Sequence, residues 1–213
     1  MLLHTYKNAF CTITQFADCN NGFIQDDKYK LEVIKNIATD QFEEISRIID
    51  IARGTIDPKT FIEFVNVTEC IDTALNKTVD NPHITITKEY YMNDYHVLGD
   101  KSHLTEVFVC IIKNSLEAMQ QKNTTTPKLR ITIGTEQDKL FININDNGIG
   151  IKKYYISKIF TPLFSSKSGG KNFGVGLTYA KRIIESHGGS ISIKSKYNEY
   201  TTVQITLPNL IIK

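Results

Sequence analysis

The chain has 213 residues, 41% of them hydrophobic and 23% charged, with a formal net charge of +2. At roughly 100–200 residues per domain this supplies one large or two small globular domains with a real apolar core. The near-neutral balance, with no Lys/Arg stripe among aromatics, argues against a nucleic-acid partner. No run of 18 apolar residues is present to span or contact a membrane, and no secretory signal opens the chain. Cys11, Cys19, Cys70 and Cys110 form no CxxC pair, which speaks against a zinc or thioredoxin-like centre and fits free thiols in a reducing cytoplasm.

Residues 1–53 read as two helices. In the first, Leu3, Tyr6, Phe10, Ile13 and Phe16 form an apolar stripe, while His4 and Asn8 stack one turn apart on a polar line. A lone exposed histidine is ordinarily a solvated side chain. Gly22 in "DCNNGF" is a plausible stop. The second helix, from about Asp27 to Arg53, carries a near-heptad seam of Leu31, Ile34, Ala38, Phe42, Ile45, Ile49 and Ala52. A two-helix hairpin cannot bury both seams alone, so a homodimer forming a four-helix bundle is expected, with packing on the rest of the same chain as the alternative. The first helix starts without a cap residue before Met1, as the C-terminal portion of a longer protein would.

"RGTIDPKT" (53–60) is a hinge, with Gly54 and Pro58 as breakers. Beyond it the pattern changes. Residues 61–66 are expected as a strand, 68–76 as a helix capped by Thr68, 83–91 and 95–100 as strands, and 101–121 as a long helix. Two alternating runs over 128–146 form a hairpin, and a Gly-rich irregular stretch follows. A helix from Gly174 to about His187 and a second hairpin over 189–208 complete an α+β sandwich with a mixed, largely antiparallel sheet. The expected domains are 1–55 and 61–213.

Three segments of the second domain carry chemistry. In "NSLEAM" (114–119), Asn114 follows the apolar run "VFVCII", where an amide is expensive without partners, and Glu106, Cys110 and Asn114 share a helix face. An amide oxygen suits Mg²⁺, which takes few protein ligands; a core hydrogen bond is the plainer reading. In "NDNGIGI" (145–151), Asp146 sits at a strand end, where its carboxylate can accept from an exocyclic amine, and Gly148 and Gly150 let backbone pass close to a flat ligand. Asn-Gly is also the commonest tight-turn pair. In "NFGVGL" (172–177) a Gly-rich loop feeds a helix, whose N-terminal N–H groups make a phosphate site, although the P-loop lysine and the dinucleotide spacing are both missing.

In this order and at these separations, the three segments resemble the N, G1 and G2 boxes of the GHKL ATPases: histidine kinases, Hsp90-type chaperones, DNA-repair ATPases and type II topoisomerases. Between them, "KIFTPLFSSKSGG" (158–170) is similar to the F box of sensor histidine kinases, and "HTYKNAF" (4–10) to their H box, matching at His4, Lys7 and Asn8. The resemblance implies a dimeric phosphoacceptor hairpin followed by an ATP-binding domain. It makes His4 the phosphoacceptor, Asn114 the Mg²⁺ ligand, Asp146 the adenine-reading residue, and Gly148 and Gly150 part of the adenine pocket. Gly174, Gly176 and Leu177 then line the phosphates, and residues 151–173 form an ATP lid with Phe160 and Phe164 as apolar anchors and Lys167 approaching a phosphate. Asn8 is placed to orient a water that dephosphorylates the partner aspartate.

The implied reaction passes the γ-phosphate of ATP to His4 and then to an aspartate of a response-regulator receiver domain. A neutral imidazole is the nucleophile, and most exposed histidine is neutral at pH 7. Three residues depart from the pattern: Thr5 replaces the acidic neighbour of the histidine, Cys110 the asparagine four residues before the metal ligand, and Asn172 the first glycine of the G2 box. The competing expectation is a non-catalytic dimeric module of the same fold that docks a response regulator.

Overall fold

The computed structural model describes residues 62–91, 95–164 and 174–210. The expected hairpin over residues 1–53, with His4, Thr5 and Asn8, lies outside them, as do Lys167 and Asn172. The described residues belong to one compact unit.

The elements run β1 (Glu63–Asn66), α1 (Val67–Thr78), β2 (Thr85–Tyr90), β3 (His96–Gly99), α2 (Lys101–Lys122), β4 (Lys128–Glu136), β5 (Lys139–Asp146), α3 (Lys153–Ile156), α4 (Gly176–Ser186), β6 (Ser190–Lys196) and β7 (Tyr200–Pro208). Five strands form a mixed sheet in the order β2-β4-β5-β7-β6, with β2 parallel to β4 and the remaining pairs antiparallel. Strands β1 and β3 form a separate antiparallel pair. The expected α+β sandwich with a mixed, largely antiparallel sheet is therefore present.

Alternation explains the layering. Leu140, Ile142 and Ile144 of β5 are buried beside Leu129, Ile131 and Ile133 of β4 and Val203, Ile205 and Leu207 of β7. The intervening side chains form a polar face, on which Asn145 Nδ2 donates to Thr202 Oγ1 at 2.7 Å and Gln204 Nε2 to Asn143 Oδ1 at 3.2 Å. On the apolar face lies α2, which touches α1, α4 and β5. Contact from several sides is why Val107 through Ile112 are all buried, rather than one stripe of them.

Local chemistry sets the ends of α2. The Asp100 carboxylate accepts from the His103 N–H at 2.9 Å, and Asn123 closes the helix in the left-handed region with φ 54°. The cap of α1 corrects the sequence expectation: Asn66, not Thr68, is the cap residue. Its Oδ1 accepts from the Thr68 N–H at 3.0 Å and from the Thr68 hydroxyl at 2.6 Å. The cap lies two residues earlier than expected, and the helix starts at Val67, because the Asn66 amide oxygen takes the place in which the hydroxyl was sought. Helix α4 begins at Gly176 rather than Gly174. The stretch read as irregular after β5 contains the short helix α3. Among the described residues, no helix is long and apolar enough to cross a membrane.

Candidate active site

Asp146 ends β5 on the buried face and is only 2% exposed. Its Oδ1 accepts from the Gly148 N–H at 2.8 Å. Burial pushes the carboxyl up to about 6, against the opposing pulls of the Gly148 N–H, the Ser115 hydroxyl, the Lys122 ammonium and the Thr201 N–H. The group is therefore ionised at neutral pH, yet shielded from water.

The loop after Asp146 is stitched to its surroundings. The Ile149 N–H donates to the Ala118 carbonyl of α2 at 3.0 Å, the Asn198 N–H to the Ile149 carbonyl at 2.6 Å, and the Ile151 N–H to Ser195 Oγ at 2.8 Å. Asn147 pins the start of β4, accepting from the Lys128 N–H at 2.8 Å and donating to the Thr126 carbonyl at 2.8 Å. The protein's own packing demands the glycines here. A Cβ at Gly148 would fall 2.7 Å from Ala118 and 2.8 Å from Asp146 Oδ1. Gly150 has φ +67°, and a Cβ there would meet the Lys196 carbonyl oxygen at 2.2 Å.

Asn114 lies half-buried on α2, four residues after Cys110, and its Nδ2 donates to Cys110 Sγ at 3.6 Å. The same sulfur would lie 2.7 Å from a Cβ at Gly176. Cys110 thus fills the contact between the expected metal ligand on α2 and the start of α4. Leu177 is half-buried at that start, and the cap residue Val175 makes no side-chain cap hydrogen bond to the first turn of the helix. Gly174 has φ +70° and packs so closely on Phe164 that a Cβ would lie 2.5 Å from the Phe164 carbonyl oxygen. Gly174, just beyond the expected lid of residues 151–173, is therefore in contact with Phe164 within it.

Ile159 is the most buried residue at the start of the lid. Phe160 and Phe164 are half-buried: Lys181 Nζ stands 5.6 Å from the Phe160 ring centroid, and the Phe164 and Tyr155 rings are 5.4 Å apart. The Thr178 hydroxyl of α4 donates to the Phe160 carbonyl at 3.1 Å, tying helix to lid.

The structure thus gathers Asp146, Gly148 and Gly150 around the end of α2, and Asn114, Cys110, Gly174, Gly176 and Phe164 around the start of α4. Sequence reading missed Ser115 and Thr201. Both are buried polar residues; the Ser115 hydroxyl and the Thr201 N–H pull the Asp146 carboxyl down against its burial, and Thr201 is its Cα partner across β5 and β7. The second hairpin's alternation places Thr201 on the inward face, but only the strand register shows what it meets. Of the other histidines, His187 is structural. Its Nε2 accepts from the Asp100 N–H at 3.1 Å, and its Nδ1 lies 2.7 Å from the Ile183 carbonyl, which assigns the proton to Nδ1.

Comparison with known proteins agrees with this geometry. The family model described as "Histidine kinase-, DNA gyrase B-, and HSP90-like ATPase" matches residues 99–211, just over half of the chain. Sporulation kinase D of Bacillus subtilis (strain 168) is 40% identical over 108 residues, 51% of this chain and 20% of the relative. Sporulation kinase C of the same organism is 32% identical over 216 residues, 97% of this chain and 47% of the relative. The chain therefore spans less than half the length of either protein. A structure of the mycobacterial sensor histidine kinase MprB shares the fold with a TM-score of 0.61 at 22% identity, covering 70% of this chain and 98% of that one. The chain belongs to the histidine kinase-, DNA gyrase B- and HSP90-like ATPase family.

Proposed function

We propose that the chain is the cytoplasmic catalytic core of a two-component sensor histidine kinase. It transfers the ATP γ-phosphate to His4 and from there to an aspartate of a response-regulator receiver domain. The observation that carries the reading is Asp146: a buried, ionised carboxylate on a glycine loop bound to the helix that also bears Asn114. A buried carboxylate is costly even with the Gly148 N–H as donor, and such perturbed groups cluster at functional sites.

In this reading Asp146 accepts from the adenine amine and selects against bases that present an acceptor there. Gly174, Gly176 and Leu177 bring backbone N–H groups at the start of α4 to the phosphates. Phe160 and Phe164 anchor the lid, and Lys167 contributes a positive charge to it. The amide oxygen of Asn114 suits a hard divalent cation, and Asn114 would hold Mg²⁺ together with the phosphates. Bound Mg²⁺ neutralises phosphate charge in phosphoryl transfer, where catalysis is chiefly positioning and electrostatics. His4 is the nucleophile in its neutral form. Thr5 accepts a hydrogen bond but supplies no charge to the developing imidazolium, and Asn8 orients a water for dephosphorylating the regulator. The hairpin is expected to make the protein a homodimer.

Incubation with γ-labelled ATP and Mg²⁺ tests the nucleotide half. Wild-type protein should incorporate label, and folded Asn114→Ala should lose most of it. Undiminished labelling in Asn114→Ala would remove Asn114 from the site. No labelling of wild-type protein that nevertheless binds a response regulator would favour the docking module.

A further inference from the structure

The peptide group that joins Asn147 to Gly148 is held at both ends. At one end Lys122, half-buried in the last turn of α2, donates from its ammonium to the Asn147 carbonyl at 2.8 Å. At the other end the Gly148 N–H donates to Asp146 Oδ1 at 2.8 Å. A trans peptide is planar, so its carbonyl and its N–H point opposite ways and turn together. Whatever fixes the Asn147 carbonyl therefore also aims the Gly148 N–H. The Asn147 side chain, bonded to Lys128 and Thr126, fixes where the residue sits; Lys122 fixes which way its carbonyl turns. The same ammonium donates to the Glu199 carbonyl at 3.2 Å, in the turn between β6 and β7. That turn also grips the loop directly, through the Asn198 N–H on the Ile149 carbonyl at 2.6 Å. A hydrogen bond from an ionised donor is about twice as strong as a neutral one. A cation on the carbonyl also polarises the peptide and makes its N–H a better donor.

We propose that Lys122 is a positioning residue for base selection: it holds the Asn147–Gly148 peptide so that the Gly148 N–H keeps Asp146 Oδ1 in place while the carboxylate meets the exocyclic amine of the bound purine. The inference rests on Asp146 as the base-reading residue. Lys122 acts through this one peptide group, not on the base. Without the ammonium the peptide is free to turn, and the N–H that holds Oδ1 turns with it. Affinity is then lost for the interaction with the amine and not for the rest of the nucleotide.

Calorimetric titration of the full chain with ADP and with purine-riboside diphosphate, the same nucleotide lacking the 6-amine, tests this. Wild type should prefer ADP. Lys122→Met, which keeps the apolar stem without the charge, should bind ADP about 3- to 10-fold more weakly and the amine-free nucleotide unchanged. Lys122→Arg, which keeps a cationic donor, should retain the preference. If Lys122→Met does not fold, Lys122→Gln, which keeps a donor but no charge, carries the same comparison. Equal weakening of both nucleotides would make Lys122 merely structural and overturn the proposal. An unchanged ADP affinity would overturn it too, as would a preference lost in Lys122→Arg as fully as in Lys122→Met. Asp146→Asn separates the two levels. If it leaves ADP preference intact, the base reading of Asp146 is wrong and the proposal falls with it. If it abolishes the preference while Lys122→Met does not, only the role of Lys122 is wrong.

Discussion

Asp146 holds its proton more tightly in the folded protein, at about 6, than in an unfolded chain near the ordinary aspartate value. Its contribution to stability is therefore fully present below the unfolded value and is lost as pH rises through about 6. A displacement of this size corresponds to about 3 kcal/mol. Stability of Asp146→Asn relative to wild type should thus improve by about that much between pH 4 and pH 7 in denaturant titrations; a difference independent of pH would contradict the buried carboxylate. ADP affinity of the wild type should rise over the same interval, because the amine needs the ionised acceptor. Gly148 acts on the same group. Its missing Cβ leaves room for Ala118 and Asp146 Oδ1, so Gly148→Ala should cost about 1–3 kcal/mol and weaken nucleotide binding. Wild-type melting and affinity in that variant would show that the loop yields without loss.

Elements were legible where one periodicity ruled. The alternation over 128–146 gave β4 and β5, and the run "VFVCII" after Asp100 gave α2 almost to the residue. The three-segment pattern singled out Asp146 and Asn114, which lie at the end of β5 and on α2 as their strand and helix patterns require. Tertiary pairing stayed hidden: Ser115 and Thr201 matter because α2 and β7 bring them to Asp146, and no local pattern records that. The cap at Asn66 and the short helix α3 were missed because adjacent polar residues compete for one cap, and four residues are too few to show a period. His187 is a further tertiary tie, joining the end of α4 to the start of α2. Replacing it with alanine leaves the Asp100 N–H without its acceptor and should cost about 1–3 kcal/mol in equilibrium unfolding, without removing phosphoryl acceptance. Loss of labelling in a folded His187→Ala protein would reopen the choice of acceptor.

For the whole molecule, the proposal joins a nucleotide domain of known family to a phosphoacceptor hairpin read from sequence. The hairpin's seam of Ile34, Phe42, Ile45 and Ile49 predicts a dimer in sedimentation at micromolar concentration, since burial of each such side chain contributes roughly 1.5–3 kcal/mol. A monomer there would count against the four-helix bundle. The most direct measurement is the chemistry and position of the transferred phosphate. After incubation with γ-labelled ATP and Mg²⁺, wild-type protein should carry label that is lost in acid and kept in base, as a phosphoramidate is, and folded His4→Ala should bind ATP but carry none. Acid-stable label, or label retained in folded His4→Ala, would contradict His4 as the phosphoacceptor.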